Sequence, residues 1–213
     1  MREELWNWKY QKLGEKVVTN LKRKKHDAFL VDKKEDVVPL LKEIMRENSL
    51  VAVGGSLTLN ECGVLDFLRN GKFNFLDRYN AKSKEDLEKI QFEMFKADYF
   101  LCSANAITED GKIVQLDGNG TRVAPMIFGP KHVIIVAGIN KIVPDVESAN
   151  KRIEYISPMN SKRLNFDTPC TYTGKCDDCM SPQRICVHRV IVETGVRHPG
   201  RFKIILVKED LGL

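Results

Sequence analysis

Residues 131–138 read KHVIIVAG, and residues 49–56 read SLVAVGGS. Both are short aliphatic runs next to glycine, which is typical of strands buried on both faces of a parallel sheet. Residues 83–98, SKEDLEKIQFEMFKAD, instead have apolar side chains at helical spacing behind Ser83, a candidate N-cap residue. Because such strands and helices alternate along the chain, the sequence predicts an α/β fold with a mostly parallel sheet covered on both faces.

The remaining patterns divide a single domain, residues 1–213, into four parts. Helical spacing predicts a helix over residues 3–25, and Asp32 is a candidate cap for a second helix. TEDGKIVQLDGNG, residues 108–120, predicts a hairpin, and YFLCSANAI, residues 99–107, predicts one buried strand. The predicted parts are N-terminal helices (1–48), an α/β core (49–164), a cysteine-rich loop segment (165–190) and a last strand (201–213).

Composition and charge narrow the class of protein without naming a partner. The chain is 43% hydrophobic and 30% charged, with a formal net charge of +5 and a pI near 8.8. Its basic runs at residues 21–27 and 150–163 have no RNA-binding signature and lie close to acidic residues, so we expect a small anionic ligand rather than nucleic acid. Residues 1–18 do not match a signal peptide, and no apolar run approaches the roughly 20 residues of a membrane span. We therefore expect a cytoplasmic protein without membrane contact.

Three loops that follow buried strands are candidate ligand sites, because ligands bind at the carboxyl ends of the strands in such sheets. The first loop contains Gly54, Gly55, Ser56 and Thr58. Glycines let a backbone approach a ligand closely, and a helix that follows them directs free amides at an anion. A tight turn in which Ser56 or Thr58 only caps that helix is the structural alternative.

The later loops add polar and basic side chains at the same predicted edge of the sheet. The candidates in these loops are Ser103, Asn105, Gly118, Asn119, Arg122, Asn140 and Lys141. Ser103 and Asn105 would either face a ligand or bond to their own backbone. Arg122 is the expected clamp for a carboxylate or a phosphate, since its guanidinium matches either group with two hydrogen bonds. Together the loops predict a pocket for a small anion.

Residues 170–186, CTYTGKCDDCMSPQRIC, contain four of the six cysteines of the chain. In a reducing compartment, clustered cysteines bind metal or perform redox chemistry more often than they form disulfides. The C-x2-C pair suits tetrahedral zinc and an iron–sulfur cluster equally, and the outer spacings match neither a zinc finger nor a bacterial ferredoxin. An iron–sulfur cluster is our first expectation, with zinc and metal-free thiols as alternatives. The expected metal ligands are Cys170, Cys176, Cys179 and Cys186.

Several motifs resemble the LUD-domain family of lactate-utilisation proteins. They are AVGGSLTLNECG (52–63), SANAITEDGKIVQLDGNGTRVAPMIFGPKHVIIVAGINKIV (103–143), CDDCMSPQRIC (176–186) and RFKIILVKEDLGL (201–213). The resemblance covers nearly the whole chain from about Val37 onward. It implies the α/β three-layer sandwich shared by ribose-phosphate isomerases and CoA transferases.

The resemblance also implies roles for particular residues. Relatives of that fold bind phosphate or CoA with the glycine loop, which points to Gly54, Gly55, Ser56 and Thr58. Glu61 and Asp117, together with Lys141, are the nominated catalytic residues.

The function implied by the resemblance is a part in the oxidation of L-lactate to pyruvate, beside an iron–sulfur partner protein. We expect a redox or ligand-binding subunit that handles a small hydroxy or keto acid, or its phosphate or CoA ester. If the protein is an enzyme, it is an oxidoreductase subunit or performs isomerase- or transferase-like chemistry. The alternative hypothesis is a non-catalytic binding or assembly module whose cysteine loop is held by a structural metal.

Overall fold

Eight α-helices and ten β-strands make up the fold in a computed structural model that describes all residues, 1–213. The helices are α1 (Arg2–Arg23), α2 (Val37–Ile44), α3 (Leu57–Glu61), α4 (Val64–Asn70), α5 (Lys84–Glu93), α6 (Val123–Ile127), α7 (Val146–Arg163) and α8 (Pro169–Thr173). The strands are β1 (Asp27–Val31), β2 (Leu50–Val53), β3 (Asn74–Leu76), β4 (Tyr99–Cys102), β5 (Ala106–Thr108), β6 (Ile113–Asp117), β7 (His132–Gly138), β8 (Ile142–Val143), β9 (His188–Val192) and β10 (Phe202–Val207).

The main sheet has six parallel strands in the order β1-β10-β7-β4-β2-β3. Alternate residues of its central strands face opposite sides, so Ile135 packs in one core and Ile134 in the other. The first core lies between the sheet, α1 and the second sheet, and the second core lies between the sheet and α2, α3 and α4. The predicted three-layer α/β arrangement around a mostly parallel sheet is therefore confirmed.

A second, four-stranded sheet has the order β8-β5-β6-β9. The predicted hairpin forms its centre, since β5 and β6 pair antiparallel and Gly111 closes the turn by donating its N–H to the carbonyl of Thr108. Helix α7 packs on this sheet through Ala149 and Ile153. The small sheet and α7 thereby stand beside the carboxyl ends of the main-sheet strands, where they complete the candidate site.

The predicted N-terminal helices are α1 and α2, but residues 1–48 also contain a strand that the sequence did not predict. Residues 27–31 form β1, an edge strand of the main sheet that pairs in parallel with β10, about 175 residues further along the chain. The second helix begins at Val37, behind Asp36, whereas Asp32 forms an ion pair with Lys208 at 2.7 Å. Local spacing cannot reveal a half-buried strand whose only partner is so distant in sequence.

Two further boundaries differ from the predicted ones. YFLCSANAI is not one strand, because the chain leaves the main sheet after Cys102 and enters the second sheet at Ala106. The cysteine-rich segment is not a loop throughout, since it contains α8 and runs into β9. Within it, residues 165–168 and 174–187 lack both helix and strand. None of the eight helices is long and apolar enough to cross a membrane.

Candidate functional site

A cavity lies at the carboxyl ends of β2, β4 and β7, where the parallel sheet brings three separate loops together. Its volume is about 80 Å³. The predicted site residues that line it are Gly55, Ser56, Thr58, Ser103, Asn105, Arg122 and Lys141. One cavity therefore brings together residues of all three loops.

Lys141 lies at the closed end of this cavity, in the single 3₁₀ turn between β7 and β8. The residue is only 4% exposed, which is unusual for a lysine. Its Nζ donates hydrogen bonds to Oγ1 of Thr58 at 2.9 Å and to Oγ of Ser103 at 3.0 Å. The three side chains come from the three different loops, so the parallel sheet alone brings them together.

The surroundings of Lys141 favour its neutral amine. Burial, followed by the positive charges of Arg152 and Arg122, lowers the pKa of Lys141 to about 7. Glu61 acts in the opposite direction but contributes less, and its Oε2 accepts the N–H of Gly212 at 2.7 Å. Near neutral pH a large fraction of the protein therefore has an uncharged, nucleophilic or basic amine in the cavity.

Arg122 forms the basic side of the cavity. Its Nη2 donates to the carbonyl oxygen of Leu116 at 2.6 Å and to Oδ1 of Asn105 at 3.0 Å, whereas its Nε is buried without a partner. Its side chain passes directly over Gly54, where any Cβ atom would meet Cγ of Arg122 at 2.9 Å. Gly54 therefore serves the site by leaving room for this arginine.

A polar scaffold fixes the second loop. Gln115 is completely buried, donates to the carbonyl oxygen of Ser103 at 2.8 Å and accepts the N–H of Asn105 at 3.3 Å. Arg152 of α7 donates to the carbonyl oxygens of Asn105 at 2.6 Å and Asn140 at 3.0 Å. These bonds satisfy backbone groups that the break between β4 and β5 leaves unpaired, so the loop is held rigidly.

The first loop combines the two alternatives considered for it. Ser56 is the N-cap residue of α3 and accepts the N–H of Leu59 at 3.2 Å, as the structural alternative predicted. Helix α3 has only five residues, so its dipole adds little to anion binding. Thr58 points instead to Lys141, and Gly55 leaves its backbone open to the cavity.

Five nominated residues lie at the borders of this cavity. Asp117 accepts the N–H groups of Arg122 at 2.8 Å and Val123 at 3.2 Å, which orients the arginine. It lines an adjoining cavity together with Gly118 and Asn119, and this cavity shares Gly55 and Arg122 with the first. Asn140 holds the backbone of Leu211, and Glu61 holds that of Gly212. The catalytic nominations of Glu61 and Asp117 stay predictions.

The four clustered cysteines line one small cavity of about 20 Å³, and all are free thiols. Cys170 is buried on α8, and the other three are half-buried. Arg184 closes the segment, because its Nη1 donates to the carbonyl oxygen of Cys179 and its Nε to that of Cys186, both at 2.7 Å. Burial raises the pKa of the Cys186 thiol, whereas a hydrogen bond with Ser157 lowers that pKa by a smaller amount.

The model of the LUD domain family matches residues 14–207 of the chain. The chain belongs to the LUD domain family. No curated protein matches the sequence.

Solved structures extend the comparison for this LUD domain. A DUF162 family protein from Deinococcus radiodurans is 14% identical, with a TM-score of 0.53 over 95% of this chain and 98% of that chain. Ribose 5 phosphate isomerase A from Neisseria gonorrhoeae is 14% identical, with a TM-score of 0.40 over 81% of this chain and 91% of that chain. eIF2B beta from Chaetomium thermophilum is 13% identical, with a TM-score of 0.37 over 54% of this chain and 44% of that chain. The first match supports the fold alone, and the other two are too distant to carry an argument.

Sequence reasoning missed the contribution of α7 to the site of this LUD domain. Ser157, Asn160 and Arg163 line the cavity, and Arg163 donates from Nε and Nη2 to Oδ1 of Asn160 at 3.1 and 2.8 Å. Their spacing puts these polar residues on the same face of α7 as Ile153 and Ile156, and Ile156 lines the cavity too. A face that reads as buried core in the sequence therefore also borders the cavity, which only the packing of the helix shows. Leu213 lines the cavity as well, beside Gly212.

The thiols of the LUD domain provide donors of the right chemistry for a metal cofactor. Four cysteine sulfurs around one cavity are the donor set of an iron–sulfur cluster or of structural zinc. As the side chains stand, no group of three metal-ligating residues is placed to hold a single metal ion. A zinc ion with bonds of about 2.3 Å needs four closely gathered sulfurs, whereas a polynuclear cluster spans a wider ring of thiolates. The choice between a cluster and a zinc ion stays a prediction.

Proposed function

We propose that this LUD domain binds a small 2-hydroxy or 2-oxo acid, or its phosphate or CoA ester, as a redox or ligand-binding subunit in lactate utilisation. One observation carries the proposal. The cavity at the strand ends has two guanidinium groups, Arg122 and Arg163, beside the amine of Lys141, and none of its 17 lining residues is an Asp or a Glu. A concave site with this charge attracts carboxylates and phosphates, and the low-dielectric walls strengthen that attraction.

The dimensions of the site agree with a small acid. Thr58 and Ser103 offer hydroxyl groups beside Lys141 at the closed end, where the polar head of such an acid would lie. The adjoining cavity continues the space past Arg122, Asn160 and Arg163 towards solvent. A phosphate or CoA ester would extend through this second space, because its head group alone fills the inner one.

The cysteine cavity supports the redox part of the proposal. Ser157, Ile185 and Cys186 line both this cavity and the acid pocket, so the two sites are separated by a single layer of side chains. A cluster on Cys170, Cys176, Cys179 and Cys186 would supply one-electron transfer next to the acid. The residues of the chain itself hold and orient the acid through their basic and hydroxyl groups.

Calorimetric titration of the intact protein with lactate, pyruvate, inorganic phosphate and a CoA ester tests the acid pocket. Arg163→Gln should weaken binding about tenfold, which corresponds to roughly 1.4 kcal/mol, because it removes an exposed charge at the mouth. Arg23→Gln is the matched control, since Arg23 is an exposed arginine in the last turn of α1. If none of the four compounds binds, or if both variants weaken binding equally, the proposed pocket is wrong.

Anaerobic purification tests the cofactor. We expect brown protein that contains iron and acid-labile sulfide, and we expect Cys176→Ser to lose both. Cys62→Ala is the matched control, because Cys62 is buried in the core beside α3 and α4, outside the cysteine cavity. Colourless protein with stoichiometric zinc would reject the redox role and support a structural metal in a binding module.

A further inference from the structure

We propose that Lys141 is a nucleophile that forms an imine with the carbonyl carbon of a 2-oxo acid held in the cavity. This inference rests on the proposed function, since it requires the pocket to accept a small 2-oxo acid. It assigns a covalent role to one atom, Nζ of Lys141, and it selects the 2-oxo acids among the acids that the pocket can hold.

The hydrogen bonds around Nζ support a neutral amine with a free lone pair. An ammonium group has three N–H donors, whereas a neutral amine has two donors and one lone pair. Thr58 and Ser103 provide two acceptors for Nζ, and Ser103 is itself placed to donate to Thr58 at 3.4 Å. Lys141 takes part in no salt bridge with a carboxylate. The two hydroxyls thus satisfy both N–H groups of the neutral form and leave its lone pair for a ligand.

The charges that face Lys141 act in the same direction. Arg152 of α7 and Arg122 beside α6 are the nearest cations, and both disfavour a further positive charge. Glu61 of α3 and the thiol of Cys62 oppose them, with smaller effects. Burial is the largest cause of the lowered pKa of Lys141, about 7, and the two arginines lower that pKa further. Lysines that form imines in enzymes are activated by this combination of burial and neighbouring cations.

The basic groups of the cavity also orient a 2-oxo acid. Lys141 lies at the closed end, and Arg122 and Arg163 lie towards the openings shared with the second cavity. A carboxylate bound to these arginines would direct the adjacent carbonyl group inwards, to Lys141. A 2-oxo acid carries its carboxylate and its carbonyl group on neighbouring carbons, so it offers one group to the arginines and the other to Lys141.

The step balances without an oxidant or a reductant. The lone pair of Nζ attacks the carbonyl carbon, and a carbon–nitrogen double bond replaces the carbon–oxygen double bond. Both amine hydrogens leave with the carbonyl oxygen as one molecule of water. Lactate has no carbonyl carbon next to its carboxylate, so it binds in the same pocket without forming the adduct.

Reductive trapping tests the inference on the intact protein. Pyruvate and sodium borohydride are added together, and the mass of the protein and of its proteolytic peptides is measured. We expect one reduced pyruvyl group per chain, located on Lys141, and none when lactate replaces pyruvate. Lys141→Met should abolish the adduct. Peptide mapping of the trapped adduct, in the protein that keeps Lys141, identifies the modified lysine even if this variant does not fold.

The outcomes separate the inference from the proposed function. If calorimetry shows that lactate and pyruvate both bind but borohydride traps no adduct, the imine is wrong and the acid pocket stands. Adducts spread over exposed lysines such as Lys131 would also reject the assignment to Lys141. If neither acid binds, the proposed function fails and the inference fails with it.

Discussion

Cγ of Arg122 lies 2.9 Å from the place that a Cβ atom on Gly54 would occupy. Real Cβ atoms do not approach other carbons so closely, so Gly54→Ala must displace the arginine. We expect the variant to bind pyruvate about tenfold more weakly and to lose about 1–3 kcal/mol of stability, as overpacked sites do. Calorimetric titration and urea unfolding measure the two effects.

The neighbouring glycine provides the control for that prediction. A Cβ atom on Gly55 would meet only the hydroxyl group of Tyr79, at 4.0 Å, which is an ordinary contact. Gly55→Ala should therefore leave Arg122 in place and keep the stability close to that of the unchanged protein. Equal loss of affinity in both variants would show that the loop backbone, rather than the position of Arg122, determines binding.

Gly212 makes a second close approach to the site. Its φ is +65°, and a Cβ atom there would lie 2.5 Å from Oγ1 of Thr58 and 3.1 Å from Nζ of Lys141. Gly212→Ala should thus disturb the hydroxyl–amine cluster and reduce pyruvate binding at least several-fold. Gly63→Ala is the control, since Gly63 has a φ of +68° with nothing within 4 Å of its Cβ position.

Gly212→Ala and Gly63→Ala both place an alanine in the left-handed conformation, which costs roughly 1–2 kcal/mol of stability. Any difference in affinity between them then measures the contact with Thr58 and Lys141. Unchanged pyruvate binding by Gly212→Ala would mean that the terminal segment does not form a wall of the acid site.

The buried amine of Lys141 predicts a pH dependence of stability. The pKa of Lys141 is about 7 in the folded chain, well below the ordinary lysine value of 10.5, because the amine is buried. Between these values the unfolded chain binds more protons, so this group makes stability rise with pH. The loss of folding stability caused by burying this amine is fully present below about pH 7. It disappears as the pH rises through the pKa that Lys141 has in the unfolded chain.

Lys141→Met should remove that cost. We expect the variant to be about 2–4 kcal/mol more stable than the unmodified protein at pH 6, with a difference that shrinks steadily towards pH 10. Urea unfolding of both proteins at several pH values measures this difference. A constant difference across the range would show that Lys141 titrates normally and is charged in the folded protein.

The sequence predicted the main sheet and the meeting of three loops because both depend on local patterns. The run of Val and Ile in β7 reads as buried whatever surrounds it, and Lys141 follows that strand almost directly. The carboxyl ends of parallel strands meet by geometry, so Thr58, Ser103 and Lys141 could be placed at one site without knowledge of the full fold.

The parts that sequence reasoning missed depend on contacts between distant segments. Strand β1 is defined by its pairing with β10, and the role of Arg163 depends on how α7 lies on the second sheet. The burial of Lys141 follows in part from Gly212, which packs against it from the far end of the chain. No local pattern in the sequence contains these relationships.

The last prediction concerns the closure of the cysteine segment by Arg184. This side chain joins the carbonyl oxygens of Cys179 and Cys186, and its Nη2 also pairs with Asp178 at 2.7 Å. Arg184→Gln removes the guanidinium group whose hydrogen bonds fix two expected metal ligands, Cys179 and Cys186, relative to one another. We expect the iron content per chain to fall by about half or more, since loss of supporting contacts typically weakens metal sites 10–100-fold.

Lys175→Gln is the matched control for this change, because Lys175 is an exposed cation in the same segment, between Cys170 and Cys176. Both variants remove one positive charge near the thiols, but only Arg184 connects two cysteine carbonyls. If both variants lose iron equally, local charge rather than the geometry of the segment controls the site. If neither variant loses iron, the guanidinium group of Arg184 is not needed, and the cysteines are held by their own backbone and by the bound metal.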